Sequence, residues 1–151
     1  QRRVLVEINL TSNDVILGVT GARHPLRTYL AYGVPLALST DDEGVSRSEM
    51  TLEYRKAVEE QGLDYLTLKA MARNSLEHAF VEGGSLWADF ERLTPAAECA
   101  EGAGGLEGAS CSAYAAANEK ARLQASLELD YRAFEARVAA GAWPWSAGLG
   151  K

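Results

Sequence analysis

A chain of 151 residues is long enough to bury a core, and 47% apolar with 24% charged residues is the balance of an ordinary globular protein. The 15 basic and 21 acidic residues leave a net charge of −6, and no cluster of Lys and Arg is interleaved with aromatics, so a nucleic-acid partner is not expected. No apolar run approaches the roughly 20 residues that span a bilayer, so no membrane partner is expected either.

The chain opens at Gln1 and reaches the apolar Val4-Leu5-Val6 almost at once. A natural start usually has more slack, so residue 1 is read as an internal position of a longer protein. Residues 4–10 are aliphatic and partly alternating, which predicts a strand. Thr11-Ser12-Asn13 ends it with small polar groups, and residues 14–22, with Gly18 and Gly21, are read as a loop. His24-Pro25 then opens a helix, because proline fits the first turn. That helix carries Leu26, Tyr29 and Leu30 inward and ends near Gly33.

Residues 34–38 form a second short apolar run of strand length, which stops at Ser39-Thr40-Asp41-Asp42-Glu43-Gly44. Ser46 and Glu49 have the spacing of a capping box for a helix carrying Met50, Tyr54, Ala57 and Val58. Gly62 closes that helix, and Asp64 caps the next over 65–81, with Leu68, Met71, Leu76 and Phe80 inward. Both strands are continuously apolar, as in a parallel sheet buried on both faces. The prediction is one βαβ unit with extra helices, and two strands alone do not cover a sheet.

Residues 95–110, rich in Ala, Gly and Glu, are read as an exposed excursion. From Ser112 to Ala140 the chain reads as one helix with an apolar stripe of Leu127, Tyr131, Phe134 and Val138. Trp143-Pro144-Trp145 forms a tail whose rings could dock. The expected organisation is a piece of an α/β domain over 1–94, an exposed loop over 95–111, and a C-terminal helix with its tail over 112–151.

The chemistry is concentrated in residues 39–54. A buried strand there ends in the adjacent carboxylates Asp41 and Asp42. In parallel α/β folds ligands sit beyond the carboxyl ends of strands. Paired carboxylates in such a place need a cation, a proton or hydrogen-bond donors to be stable, and a metal ion is one such partner for one of them. The alternative is that both merely cap the turn before the helix. Ser12 and Asn13 end the first strand at the same rim, either touching a ligand or making turn hydrogen bonds. Arg47 is expected to pair with Asp42, Glu43 or Glu49. His24 and His78 have no partner motif and read as structural.

The string from Val6 to Asn13, then His24-Pro25, Gly33-Val34-Pro35, Ser39-Thr40-Asp41-Asp42 and Arg73-Asn74-Ser75-Leu76 resembles the adenosine deaminases in order and spacing, over roughly residues 4–81. The wording after the aspartate pair is most similar to bacterial and secreted members. The resemblance implies the C-terminal part of a (β/α)8 TIM barrel: its last two strand–helix units followed by additional helices. It implies zinc as cofactor, Asp41 and Asp42 as catalytic residues, Asp41 as the metal ligand, and Asp42 as the aspartate that hydrogen-bonds the purine. The implied activity is hydrolysis of adenosine, and of 2′-deoxyadenosine, to the inosine product and ammonia. A related deaminase of a modified nucleoside or nucleotide, or a catalytically inactive binding protein, are the rival readings. The histidine ligands and the glutamate proton shuttle of such enzymes lie on earlier strands, so the implied partners are a small nucleoside and the N-terminal part of the barrel.

Cys99 and Cys111 lack the close spacing of a zinc site. A disulfide between them would close a loop of about 13 residues and stabilise by about 3 kcal/mol. Exported relatives resemble this arrangement, a cysteine pair before a long helix, so a periplasmic or extracellular protein is one expectation. Two reduced thiols in the cytoplasm are the other.

Overall fold

The computed structural model describes residues 4–142; the Trp143-Pro144-Trp145 tail lies outside the described residues. The chain is a mixed α/β structure that divides into two compact units, Gln1–Ala79 and Phe80–Lys151.

In the first unit, strand β1 (Val6–Ile8) pairs in parallel with β2 (Leu36–Leu38), in the register Val6↔Leu36 to Ile8↔Leu38. Both strands run into their carboxyl ends at the same edge. The crossover contains helix α1 (Leu10–Leu17) and helix α2 (Leu26–Ala31), the latter with Pro25 as its N-cap. After β2 come the short helix α3 (Glu43–Ser46), then α4 (Met50–Glu59) and α5 (Tyr65–His78). The core is a cluster that includes Ile8, Leu10, Leu26, Leu36, Leu38 and Met71. Asp64 caps α5 by accepting a hydrogen bond from the Thr67 N–H at 2.8 Å, and that contact holds its carboxyl below the usual range.

Three local expectations are corrected. Residues 10–17 are helical and not a strand end followed by a loop; Gly18, in the left-handed region at φ 62, ends the turn. The Ser46–Glu49 capping box does not form. Ser46 is the last residue of α3, its hydroxyl donates to the Asp42 carbonyl at 2.7 Å, and Glu49 precedes α4 with no side-chain cap. Asp42 has captured this turn first. Helix α5 ends at His78, so Phe80 is fully exposed and not in the core.

In the second unit, β3 (Trp87–Asp89) and β4 (Thr94–Pro95) make a small antiparallel pair. Three short 3-10 turns follow, and then helices α6 (Ala109–Ala117) and α7 (Glu119–Ala139). Its core is Leu86, Cys99, Cys111, Ala121 and Ala125, with Trp87, Leu106 and Tyr114 packed against it. Segment 95–110 therefore carries buried anchors and is not simply an exposed excursion. Cys99 and Cys111 are joined as a disulfide with Cα atoms 4.4 Å apart.

The single helix expected over 112–140 is two helices broken at Asn118. The break serves tertiary contact. The Asn118 side chain accepts from the Gly84 N–H at 2.6 Å, and the Lys120 N–H donates to the Glu82 carbonyl at 3.0 Å. The buried residues of α7 are Ala121, Gln124, Ala125 and Glu128, while Val138 of the expected apolar stripe is half exposed.

Gly83 sits beneath this break at φ +95, and a Cβ there would stand 2.7 Å from the Asn118 Cα. Gly83→Ala must therefore push backbone away from backbone in a conformation that L-residues avoid. We expect it to destabilise the second unit by about 2 kcal/mol or more, read as a lower denaturation midpoint. Gly102→Ala, which has open space around it, serves as the neutral control.

Candidate functional site

The site is the turn at the carboxyl edge of the parallel pair. The Ser39 N–H donates to the Ile8 carbonyl at 3.0 Å, which extends the ladder one step past β2. Beyond it Asp41 takes φ 59, in the left-handed region. Aspartate tolerates that region better than most residues, and here it swings the carboxylate towards the end of β1. The Ser12 hydroxyl, on the buried first turn of α1, donates to Asp41 Oδ2 at 2.8 Å. Asp41 is itself exposed. Its Oδ1 makes no hydrogen bond among the described residues, so one carboxylate oxygen is oriented and the other is available.

Asp42 does different work. Its Oδ1 accepts from the Val45 N–H at 3.2 Å, which makes it the N-cap of α3. The capping alternative thus describes Asp42 but not Asp41. Arg47 ends α3 in the left-handed conformation at φ 50. Its expected ion pair with Asp42, Glu43 or Glu49 is not formed among the described residues. A groove of about 430 Å³ follows, lined by Arg47, Ser48, Glu49, Thr51, Leu52 and Arg55. Neither Asp41 nor Asp42 lines it, so we assign the site from the strand-end geometry and not from that concavity.

The first turn of α1 is held from three directions. Glu53 of α4 is completely buried. Its Oε2 accepts from the Leu10 N–H at 2.7 Å, and its two oxygens share the Thr11 N–H at 3.2 and 3.3 Å. These are two of the N–H groups that a helix start leaves without partners, and a carboxylate is the favoured charge there. Asn9, the N-cap by position, makes no side-chain cap. One turn further along α4, Lys56 Nζ pairs with Asp14 at 2.8 Å and with Glu60 at 3.1 Å. Burial would lower its pKa, but the hydrogen bonds and charges of Asp14 and Glu60 outweigh that and raise it.

The third contact is Asn13 to His24. The Leu26 N–H donates to His24 Nδ1 at 3.2 Å, so Nδ1 is unprotonated and the proton of the neutral ring is on Nε2. Asn13 Nδ2 lies 2.9 Å from Nε2; turning the amide over would put its oxygen there to accept from the Nε2–H. Burial lowers the His24 pKa, with Glu53 pulling it back up. His78 Nδ1 lies 3.0 Å from the Asn74 carbonyl within α5. Both histidines are thus occupied in local structure.

Sequence reasoning missed Glu53 altogether. Its only signal was an acid four residues before Ala57, on the face of α4 that is buried. Two further buried acceptors in this turn, Asn9 Oδ1 and Thr11 Oγ1, have no partner among the described residues. No group of three His, Cys, Asp or Glu able to hold a metal occurs among the described residues. Of the aspartate pair, Asp41 is the one with a carboxylate oxygen, Oδ1, free of hydrogen bonds and off the helix cap, so these residues offer a metal at most one ligand.

A family profile described as adenosine deaminase matches residues 1–85. An adenosine deaminase of Shewanella loihica is 40% identical over 80 residues, covering 52% of this chain and 24% of the relative. One from Salmonella newport is 36% identical over 97 residues, 64% of this chain and 29% of the relative. One from Shewanella denitrificans is 45% identical over 58 residues, 38% and 18%. The chain thus spans about a quarter of the length of the curated relatives it matches. No solved structure matches it.

Proposed function

Since the chain belongs to the adenosine deaminase family, we propose that it is the C-terminal portion of a zinc-dependent enzyme hydrolysing adenosine, and 2′-deoxyadenosine, to the inosine product and ammonia. The observation that carries this reading is the Ser12–Asp41 pair: a carboxylate at a parallel strand end, with one oxygen fixed at 2.8 Å by a hydroxyl and the other unengaged. In this reading β1 and β2 are the last two strands of a (β/α)8 barrel, and the partner of the edge is the preceding part of that barrel.

Asp41 is the zinc ligand that this chain supplies. Zinc, when bound, contributes the acidity that brings the pKa of water from about 15.7 to about 7. The residues of this chain do the orienting. Ser12 removes the rotational freedom of the Asp41 carboxylate, as supporting partners of metal ligands do. Asp42 holds the purine through Oδ2, the oxygen not engaged in capping α3. Capping supports that role, because the Val45 N–H fixes the direction of the carboxyl group. The remaining ligands and the proton shuttle come from the preceding strands. The Cys99–Cys111 disulfide supports an exported enzyme, since such bonds persist in oxidising compartments.

The reading is tested by metal analysis and ammonia release on the full-length protein. Stoichiometric zinc and deamination of adenosine, both abolished by a chelator and restored by zinc, are expected. A full-length protein with neither zinc nor ammonia release would be a binding relative and would end this proposal. Replacing Ser12 by alanine is expected to lower zinc affinity and kcat/KM by about 10–100-fold. Because Ser12 touches no substrate in this scheme, KM should change less than kcat.

A further inference from the structure

Glu53 is an unusual residue to bury. It is completely inaccessible, its hydrogen-bond partners among the described residues are the N–H groups of Leu10 and Thr11, and burying a carboxylate is costly unless it is paired or hydrogen-bonded. A helix start can be capped more simply from its own preceding side chain, yet Asn9 makes no such bond. The capped residues directly precede Ser12, whose hydroxyl fixes Asp41.

We propose that Glu53 is a positioning residue: by holding the N–H groups of Leu10 and Thr11 it sets the Ser12 hydroxyl against Asp41, and so tunes the affinity of the metal site. This rests on the reading of Asp41 as a zinc ligand. Two contacts restrict what else can do the job. Lys56–Asp14 fixes the middle of α1 and Asn13–His24 holds its fourth residue, whereas residues 10 and 11 are held by Glu53. Glutamine replaces it poorly: its one oxygen can take the place of Oε2, but its NH₂ then stands where Oε1 accepts from the Thr11 N–H. Aspartate keeps the charge but withdraws it by one methylene.

The test is a double-mutant cycle in the full-length protein, with zinc affinity measured by chelator competition well below the unfolding temperature. Glu53→Gln is expected to weaken zinc binding about 10–100-fold, as loss of a supporting partner does. Glu53→Asp should fall between it and the parent, and it supplies the measurement if Glu53→Gln does not fold. In Ser12→Ala the Glu53 substitution should add little, since both act through one contact. Leu63→Ala, a core truncation in the same unit, controls for general destabilisation and should leave zinc affinity unchanged. The proposal is overturned if the Glu53 variants bind zinc as the parent does while Ser12→Ala does not, or if the two effects are fully additive. If Asp41→Ala also leaves zinc binding intact, the zinc-ligand reading itself has failed, and this proposal with it.

Discussion

On the reading proposed above, Asp41→Gly in the full-length protein is expected to change stability little, backbone relief offsetting the lost Ser12 hydrogen bond, and to remove adenosine deamination. The two halves of that result have separate causes. Asp41 sits at φ 59, where glycine is at no disadvantage, so the substitution relieves the backbone while deleting the carboxylate. A residue that only shaped the turn would be replaced by glycine without loss of function. A zinc ligand would not. The loss in kcat/KM should exceed the roughly 10–100-fold expected for a supporting residue such as Ser12, and zinc content should fall with it. Asp41→Asn separates charge from shape, because the carboxamide oxygen can still accept from Ser12. It should fold as the parent does and lose most of the metal. A fully active Asp41→Gly protein would show that this turn is scaffolding alone.

The second large effect concerns the C-terminal unit. Among the described residues, Cys99 and Cys111 belong to the buried core cluster of this unit, beside Leu86, Ala121 and Ala125. The cross-link therefore ties together the residues around which the unit packs. Replacing both cysteines by serine is expected to remove about 3 kcal/mol, the value for a loop of this size. It also puts hydroxyls into an apolar cluster. Hydrogen exchange resolves the outcome by segment: peptides from residues 80–142 should lose protection on mutation or on reduction. Unchanged exchange in those peptides under reducing conditions would mean that packing of α6 and α7 alone holds the unit.

The punctuation of the fold was legible in the sequence. Pro25 opens α2, Gly33 and Gly62 take left-handed conformations, and Asp64 caps α5. Each works through its immediate neighbours, which is why its residue type announces it. The apolar runs located β1 and β2, though the strands are shorter than the runs. What the sequence hid is non-local. Helix α1 looks like a loop because its N-terminal cap is Glu53, 43 residues away from Leu10. The break at Asn118 looks like continuous helix because what demands it is Gly83-Gly84, distant along the chain. Of the site, the aspartate pair was legible as such. That Asp42 caps α3 while Asp41 turns back to Ser12 was not legible, because it depends on the left-handed turn at Asp41.

The three contacts that secure the start of α1 from α4, those of Leu10, Thr11 and Asp14, each join residues 42 or 43 apart. Contacts of such separation close late in folding, since a long stretch of chain must be ordered before they form. During synthesis the chain emerges from its N-terminal end, so Asp41 is made before the residue that steadies its partner serine. Until Glu53 arrives, Ser12 lies on a helical turn without its cap, and the carboxylate at the strand end is unaimed. The aim of that carboxylate is therefore set late in biosynthesis, by the arrival of α4.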